Sequence, residues 1–275
     1  MNIKQFTPEY LSDVAHKAYM FDRLLPENFS YWYPKILDFG QFKHANIISN
    51  QVFTESDIDI LQKTDSIEKV NWEEIDQVLK PTLDKMKPYK YYSIKNGTFS
   101  NKFQFNTCLT TKYNLSENFW KIQYQSCMYD TGGYTEIVVR DAIPYNMFET
   151  PTIYEGLPLR PELRVFYSMK DKKILYTVNY WDYDYCINNI NVKSDKIVFE
   201  WFSKRPETTE RLKELVDIVY KYIDNVKFSS QLTGIWSIDF MYVTDMSDDI
   251  NGVYLIDMAR AERSAYYDVD KIKRG

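Results

Sequence analysis

Trp236-Ser237-Ile238-Asp239-Phe240 and Tyr254-Leu255-Ile256-Asp257-Met258 each carry one aspartate inside a run of bulky, strand-forming residues. Between them, Asp245-Met246-Ser247-Asp248-Asp249-Ile250-Asn251-Gly252 is rich in turn formers, so Trp236 to Val243 and Val253 to Met258 read as a hairpin. If the two strands pair, both acids can reach one face and share a cation. Magnesium typically takes one or two carboxylates and completes its shell with phosphate oxygens and water. A single aspartate within a strand is often only an exposed position of the alternation. Two on neighbouring strands carry more weight, and here the metal reading leads.

Working outward, Glu207 to Asn225 reads as a helix with Leu212, Leu215, Val216, Val219, Tyr220 and Ile223 on its apolar face. Before it, Leu163 to Ser168 and Ile174 to Tyr180 form a second predicted hairpin around Met169-Lys170-Asp171-Lys172-Lys173. Further upstream come a strand at Tyr91 to Lys95, the turn Asn96-Gly97-Thr98-Phe99-Ser100, a helix from Glu117 to Met128, and a strand from Glu136 to Arg140. Residues before 89 read as helices and loops. Glu9 to Leu25 offers Leu11, Val14, Ala15, Tyr19 and Leu25 to a core. Asn71 to Met86 is a helix that Pro81 should interrupt or kink. This order predicts an α+β protein of two lobes with mostly antiparallel sheets. The expected division is an N-terminal segment or small lobe over 1–88, a first subdomain over 89–145, and a second over 146–275 that holds the acids.

Composition narrows the chemistry. The chain has 275 residues with a net charge of −5, only three cysteines, and only two histidines, His16 and His44. A Ser–His–Asp triad, a Cys–His dyad or a histidine-rich metal site would have to use one of those two. Chemistry elsewhere must rest on Lys, Arg, Asp and Glu, the usual tools of phosphate and magnesium sites. Cys108, Cys127 and Cys186 are widely spaced and fit neither a disulfide framework nor a zinc pattern, so a reducing cytoplasm is the expectation. No apolar run reaches the length of a membrane span, and the acidic balance argues against a nucleic-acid partner, although a local basic cleft can sit inside an acidic surface and ATP would need only a few cations.

Two further constellations stand out. Lys95-Asn96-Gly97-Thr98-Phe99-Ser100-Asn101-Lys102 puts a lysine at a strand end, a small loop, then a second lysine. Backbone N–H groups flanked by ammonium groups suit a polyphosphate, and a solvated turn is the plainer alternative. Arg140, beside Asp141, and Arg164 in Glu162-Leu163-Arg164-Val165-Phe166 lie within apolar strand patterns. A half-buried guanidinium wants a phosphate or carboxylate partner, and a structural ion pair with Glu162 or Asp141 is the plainer way to meet that need.

Taken in order over residues 89 to 268, these segments resemble the ATP-grasp superfamily. The similarity is to its phage and bacterial clade named for two arginines and a lysine, and to cell-division-cycle-123-type proteins. The most specific pieces are Arg160-Pro161-Glu162-Leu163-Arg164-Val165-Phe166 and Ile256-Asp257-Met258-Ala259 with Glu262 and Ser264; Trp32-Tyr33-Pro34-Lys35-Ile36 also looks like an N-terminal segment of such proteins. The resemblance implies a nucleotide cleft between two lobes. Lys95 and Lys102 would contact phosphates, and Arg140 and Asp141 would lie on the strand whose backbone reads adenine. Arg164 would reach the transferring phosphoryl group, and Asp239 and Asp257 would hold magnesium. It implies an ATP-dependent carboxylate–amine ligase acting through an acyl-phosphate, with a peptide or protein among the candidate substrates, working in the cytoplasm (the host's, if phage-encoded). Alternatives on the same fold are an ATP-binding assembly factor with little turnover and a phosphotransferase. Ala259 stands where many such enzymes carry a metal-site asparagine. Asn179 to Tyr185 either borders an acceptor site or packs as a strand end and loop.

Overall fold

The computed structural model describes residues 10–274 apart from Leu11, Ser12, Val14, Ala15, Ala18, Asp65, Asp130, Gly132 and Gly133. Leu11, Val14 and Ala15, expected in the core, therefore lie outside the described residues. Tyr19 packs against one of the cores described below, and Leu25 is half-buried. The strands in chain order are β1 (Ile36–Asp38), β2 (Ile47–Val52), β3 (Tyr92–Asn96), β4 (Leu109–Thr110), β5 (Glu136–Asp141), β6 (Thr152–Ile153), β7 (Leu157–Pro158), β8 (Glu162–Ser168), β9 (Lys173–Asn179), β10 (Lys227–Phe228), β11 (Ile235–Val243) and β12 (Gly252–Arg260). The longer helices are α1 (Glu55–Leu61), α2 (Trp72–Leu83), α3 (Leu115–Tyr129), α4 (Tyr183–Ile187), α5 (Lys193–Lys204), α6 (Pro206–Tyr222) and α7 (Val269–Arg274). The chain is α+β, and the strands pair antiparallel.

Two compact units result. The first combines Met1–Tyr31 with Asn46–Ile143; the second combines Trp32–Ala45 with Pro144–Gly275. In the first, a four-stranded sheet in the order β2-β5-β3-β4 carries helices on one face. Strand alternation assigns the faces. Ile94, Ile137 and Val139 join Ile75, Leu79, Leu115, Phe119 and Ile122 of α2 and α3 in one apolar core. Thr54 caps α1 reciprocally with Asp57: its hydroxyl accepts from the Asp57 N–H at 3.2 Å, and the Asp57 carboxylate accepts from the Thr54 N–H at 2.9 Å. α2 buries Ile75, Val78, Leu79 and Thr82 along one stripe and runs through Pro81 to Leu83. Pro81 lacks the N–H that would donate to the Gln77 carbonyl, yet the helix continues for only two residues beyond it.

In the second unit the sheet order is β12-β11-β8-β9, with β8 and β9 forming the expected hairpin and β11 and β12 the other. α6 packs on β8 and β11 through Leu215 and Val219, while Tyr220, expected on the buried stripe, is 52% exposed. Pro206 opens α6 where its missing N–H would have had no partner. The helix ends at Tyr222, and Ile223–Asn225 continue as a tighter 3-10 turn. A second core gathers Ile153, Leu159, Trp181, Ile190, Phe199 and Phe202 around α4 and α5. The segment before residue 46 belongs to this unit as well: β1 pairs with β10 in a separate two-stranded sheet, and Lys43 makes an isolated bridge to Tyr254 of β12. The Lys43 ammonium donates to the carbonyls of Asp249 at 2.7 Å and Asn251 at 2.6 Å, closing the β11–β12 turn.

Candidate functional site

β11 and β12 place the two aspartates directly opposite each other: Asp239 pairs with Asp257, and Ser237 with Ala259. This juxtaposition depends on a bulge. Asp239 pairs with Asp257 but Phe240 pairs with Leu255, so Ile256 is an extra residue in β12. Without it, Ile256 would face Asp239. β8 lies on the other side of β11 in a register that pairs Arg164 with Asp239, and β9 pairs Val178 with Arg164. Directly opposed residues share a face of the sheet, so Arg164, Asp239 and Asp257 stand in one row across three strands.

The row is tightly bonded. The Arg164 guanidinium donates to both Asp239 oxygens, Nε to Oδ1 and Nη2 to Oδ2, each at 2.7 Å. Nη1 donates to the Ala265 carbonyl at 3.2 Å, and the Tyr180 ring lies 4.8 Å from the guanidinium carbon. Both side chains of the pair are only 11% exposed. Burial works against the arginine's charge, and the adjacent Asp239 carboxylate more than offsets it, so Arg164 is held above the ordinary arginine range. Asp257 is half-buried and its Oδ1 accepts from the Met258 N–H at 3.0 Å. For Arg164, the ion pair open in the sequence reading is made with Asp239.

The C-terminal segment crosses the same face. Ser264 and Ser237 hydroxyls bond at 2.6 Å, Tyr176 donates to the Tyr266 carbonyl at 3.1 Å, and Tyr266 donates to the Tyr180 carbonyl at 3.0 Å. Glu262 is exposed and bound by Arg260 at 3.2 Å.

Could this row hold magnesium? Two carboxylates on adjacent strands match the number magnesium takes from protein when phosphates supply the rest. Among the described residues no cluster of three or more metal-ligating side chains occurs. The donor set thus fits a magnesium ion brought in with phosphate, and fits poorly a site that holds the ion by itself. Asp239 would use the lone pairs its arginine leaves, since an ionised carboxylate offers about four.

In the first unit, Lys95 pairs with Val138, which also pairs with Asn50, and Arg140 pairs with Ser93. Alternation then puts Lys95, Arg140, Asn50 and Glu136 on the sheet face opposite the helices. Lys95 is 3% and Glu136 1% exposed. The Glu136 carboxylate accepts the Ser30 N–H at 3.1 and 3.3 Å. Burial pushes the Glu136 carboxyl above its ordinary range, with Ser30, Asn50 and Lys95 opposing that push. Asp141 falls on the other face, pairs with Tyr92, and is bound by Lys90 at 2.6 Å; its own N–H donates to the Asn46 carbonyl at 2.9 Å.

The Lys95–Lys102 loop is a braced turn. Asn96 Oδ1 accepts from the N–H groups of Phe99 at 2.7 Å and Thr98 at 3.3 Å, and its amide donates to Gln123 at 3.1 Å. Two of the backbone donors that suggested a phosphate cradle are therefore turned onto Asn96. Lys102, half-buried, begins the 3-10 turn Lys102–Thr107. Gly97 is required by close packing: a Cβ there would lie 2.3 Å from Asn28 Oδ1 and 2.9 Å from Glu136 Oε1.

Arg160, quoted above only as part of its motif, has no role in the sequence reading. It is 3% exposed and binds Asp245 at 2.8 Å and the Pro144 carbonyl at 2.6 Å. Burial works against the Asp245 charge, but the hydrogen bonds from Arg160 and Thr150 outweigh it and hold the carboxyl below its ordinary range. Its position in Arg160-Pro161, directly before the strand Glu162–Ser168, was the available signal. No protein-family model matches the chain, and no match was found among curated proteins or solved structures.

Proposed function

We propose that this chain is an ATP- and magnesium-dependent enzyme of the ATP-grasp type, a carboxylate–amine ligase. The observation that supports the reading best is the Arg164–Asp239–Asp257 row, with two acids opposed across a bulged hairpin and an arginine fixed beside them. Asp239 and Asp257 would hold magnesium, whose charge would neutralise phosphate oxygens during transfer. Arg164, already oriented by Asp239, would present a fixed positive group to the same phosphates without reorganising at the moment of reaction. Lys95 and Arg140, on one face of the first unit's sheet, would add cations for the nucleotide; Lys102 would be a further contact on the neighbouring loop. Asp141 contributes through its strand backbone in this reading, not through its carboxylate, which Lys90 takes.

Such a transfer needs no protein nucleophile. ATP would phosphorylate a substrate carboxylate, and an amine would displace phosphate from the acyl-phosphate, so the chain's work is positioning and charge neutralisation. The substrates are an unidentified carboxylate and amine, a peptide or protein among them, met in the cytoplasm. Ala259, facing Ser237 where an amide would complete a second metal position, favours a second reading: an ATP-binding assembly factor with little turnover. A screen of amino acids and peptides for stimulated ADP release separates the two. Stimulation by an acid–amine pair, lost in Asp257→Ala, supports the ligase; ATP binding with no stimulation by any pair supports the assembly factor.

A further inference from the structure

A surface of the first unit carries an arrangement that the nucleotide reading does not use. Tyr89, Tyr91 and Tyr113 are 87%, 61% and 64% exposed, far more than tyrosines that complete a core. They come from two connections at one end of the sheet. Tyr89 and Tyr91 precede β3, and Tyr113 follows β4, the strand at the sheet's edge. Because β3 and β4 are antiparallel and Tyr92 pairs with Thr110, the approaches to the two strands run side by side. The rings of Tyr89 and Tyr113 accordingly meet, 5.6 Å apart and tilted by 52°.

Lysines interleave with these rings. The local sequence is Lys85-Met86-Lys87-Pro88-Tyr89-Lys90-Tyr91 on one side and Lys112-Tyr113 on the other. Lys85 and Lys87 are exposed, and Lys112 is half-buried. Lys90 is taken by Asp141, which leaves the other three to give the surface its charge. On a chain whose net charge is −5, this is a basic, aromatic patch on an acidic protein.

The backbone adds a second observation. Tyr89 has φ +59°, in the left-handed region that a tyrosine adopts at a cost and a glycine adopts freely. The ring so positioned meets the exposed ring of Tyr113 and is otherwise in solvent, so burial in a core does not account for the strain. A strained residue that burial does not explain points to a use for the side chain.

We propose that this surface binds single-stranded nucleic acid, with bases stacking on Tyr89, Tyr91 and Tyr113 and phosphates meeting Lys85, Lys87 and Lys112. The two parts of the ligand match the two parts of the surface. Every base has a flat face that stacks on an exposed aromatic ring, and the backbone supplies a negative charge at each step. An acidic peptide would satisfy the lysines but leave the rings in water. A duplex would hide its base faces from them. The proposal does not depend on the ATP reading, since all the residues lie on a surface that reading leaves unused.

The test is fluorescence anisotropy of a labelled oligouridine and a labelled oligothymidine, titrated with the full chain at several salt concentrations. Saturable binding is expected, with log K falling against log salt at a slope of about −2, from three lysines at roughly 0.7 each. Tyr89→Ala and Tyr113→Ala should each weaken binding by about tenfold, the loss of one stacked base. Tyr220→Ala, an exposed ring on α6, should leave it unchanged. Tyr89→Gly separates binding from folding: it should raise the melting temperature by relieving the backbone while weakening binding as much as Tyr89→Ala. No binding at low salt overturns the proposal. So does binding that survives the tyrosine substitutions, or that polyglutamate of equal charge displaces as well as the oligonucleotide, because the surface would then read charge alone.

Discussion

Replacing Asp239 with alanine leaves Arg164 charged at a position 11% exposed, its Nε and Nη2 without acceptors. Solvent screening is slight at that depth. Removing one partner of a buried pair costs about 3–5 kcal/mol, most of it from the charge left behind. With a urea dependence of about 2 kcal/mol per molar, the unfolding midpoint should fall by roughly 1.5–2.5 M. Arg164→Met should cost a similar amount, leaving Asp239 as the stranded charge. The double variant Arg164→Met, Asp239→Ala removes both charges, so it should recover much of the loss and show a coupling of at least about 3 kcal/mol. Equilibrium urea unfolding followed by far-ultraviolet circular dichroism reads all four proteins. A cost below about 1 kcal/mol for Asp239→Ala, or a double variant as damaged as the sum of the two single ones, would refute a buried, mutually dependent pair.

Gly97→Ala places a Cβ 2.3 Å from Asn28 Oδ1, so it should destabilise by about 1–3 kcal/mol, and Asn28→Ala in the same chain should restore part of the loss; thermal melts check both. Glu136 supplies a pH signature. Its folded pKa lies above the ordinary 4.5, so the stability its protonated form contributes is complete below about pH 4.5 and is lost as pH rises through the folded value. Glu136→Gln should therefore gain on the wild type with rising pH across that window, read by urea unfolding from pH 4 to 8; a difference independent of pH would contradict the assignment. Burial pushes the Cys108 thiol up to about 11, so in the folded protein at pH 8 iodoacetamide should label Cys127 and Cys186 before Cys108, as mass spectrometry would show.

The parts of the fold readable in the sequence were those set by near neighbours. The β8–β9 and β11–β12 hairpins follow from alternation on either side of short polar turns, and α3 and α6 from sustained apolar stripes. What the sequence hid is non-local. The Arg164–Asp239 pair exists because β8 lies beside β11, a contact across 75 residues that no local pattern encodes. The Ile256 bulge was also hidden, because an extra residue leaves no mark in Leu255-Ile256-Asp257 until the partner strand is known. β2 was read as part of a helical and loop region because Ile47-Ile48-Ser49-Asn50-Gln51-Val52 mixes apolar and polar residues on both faces. One face meets Thr82 of α2 through Ser49, and the other carries Asn50 beside Glu136. α5 escaped because its apolar residues crowd into Ile197-Val198-Phe199 and Trp201-Phe202, with Ile197 and Trp201 exposed, and so do not spread into a long one-sided stripe. The site residues were legible as residue types in strands. Their grouping was not: Asp141 separates from Arg140 onto the other face, and the loop after Lys95 turns two of its N–H groups onto Asn96.

The ATP reading is tested most directly by isothermal titration of ATP, with and without magnesium, into the wild type and into Lys95→Ala and Asp257→Ala. Magnesium-dependent binding to the wild type, lost or weakened at least about tenfold in each variant, is the expected result. Absence of binding to the wild type in the presence of magnesium would contradict the assignment.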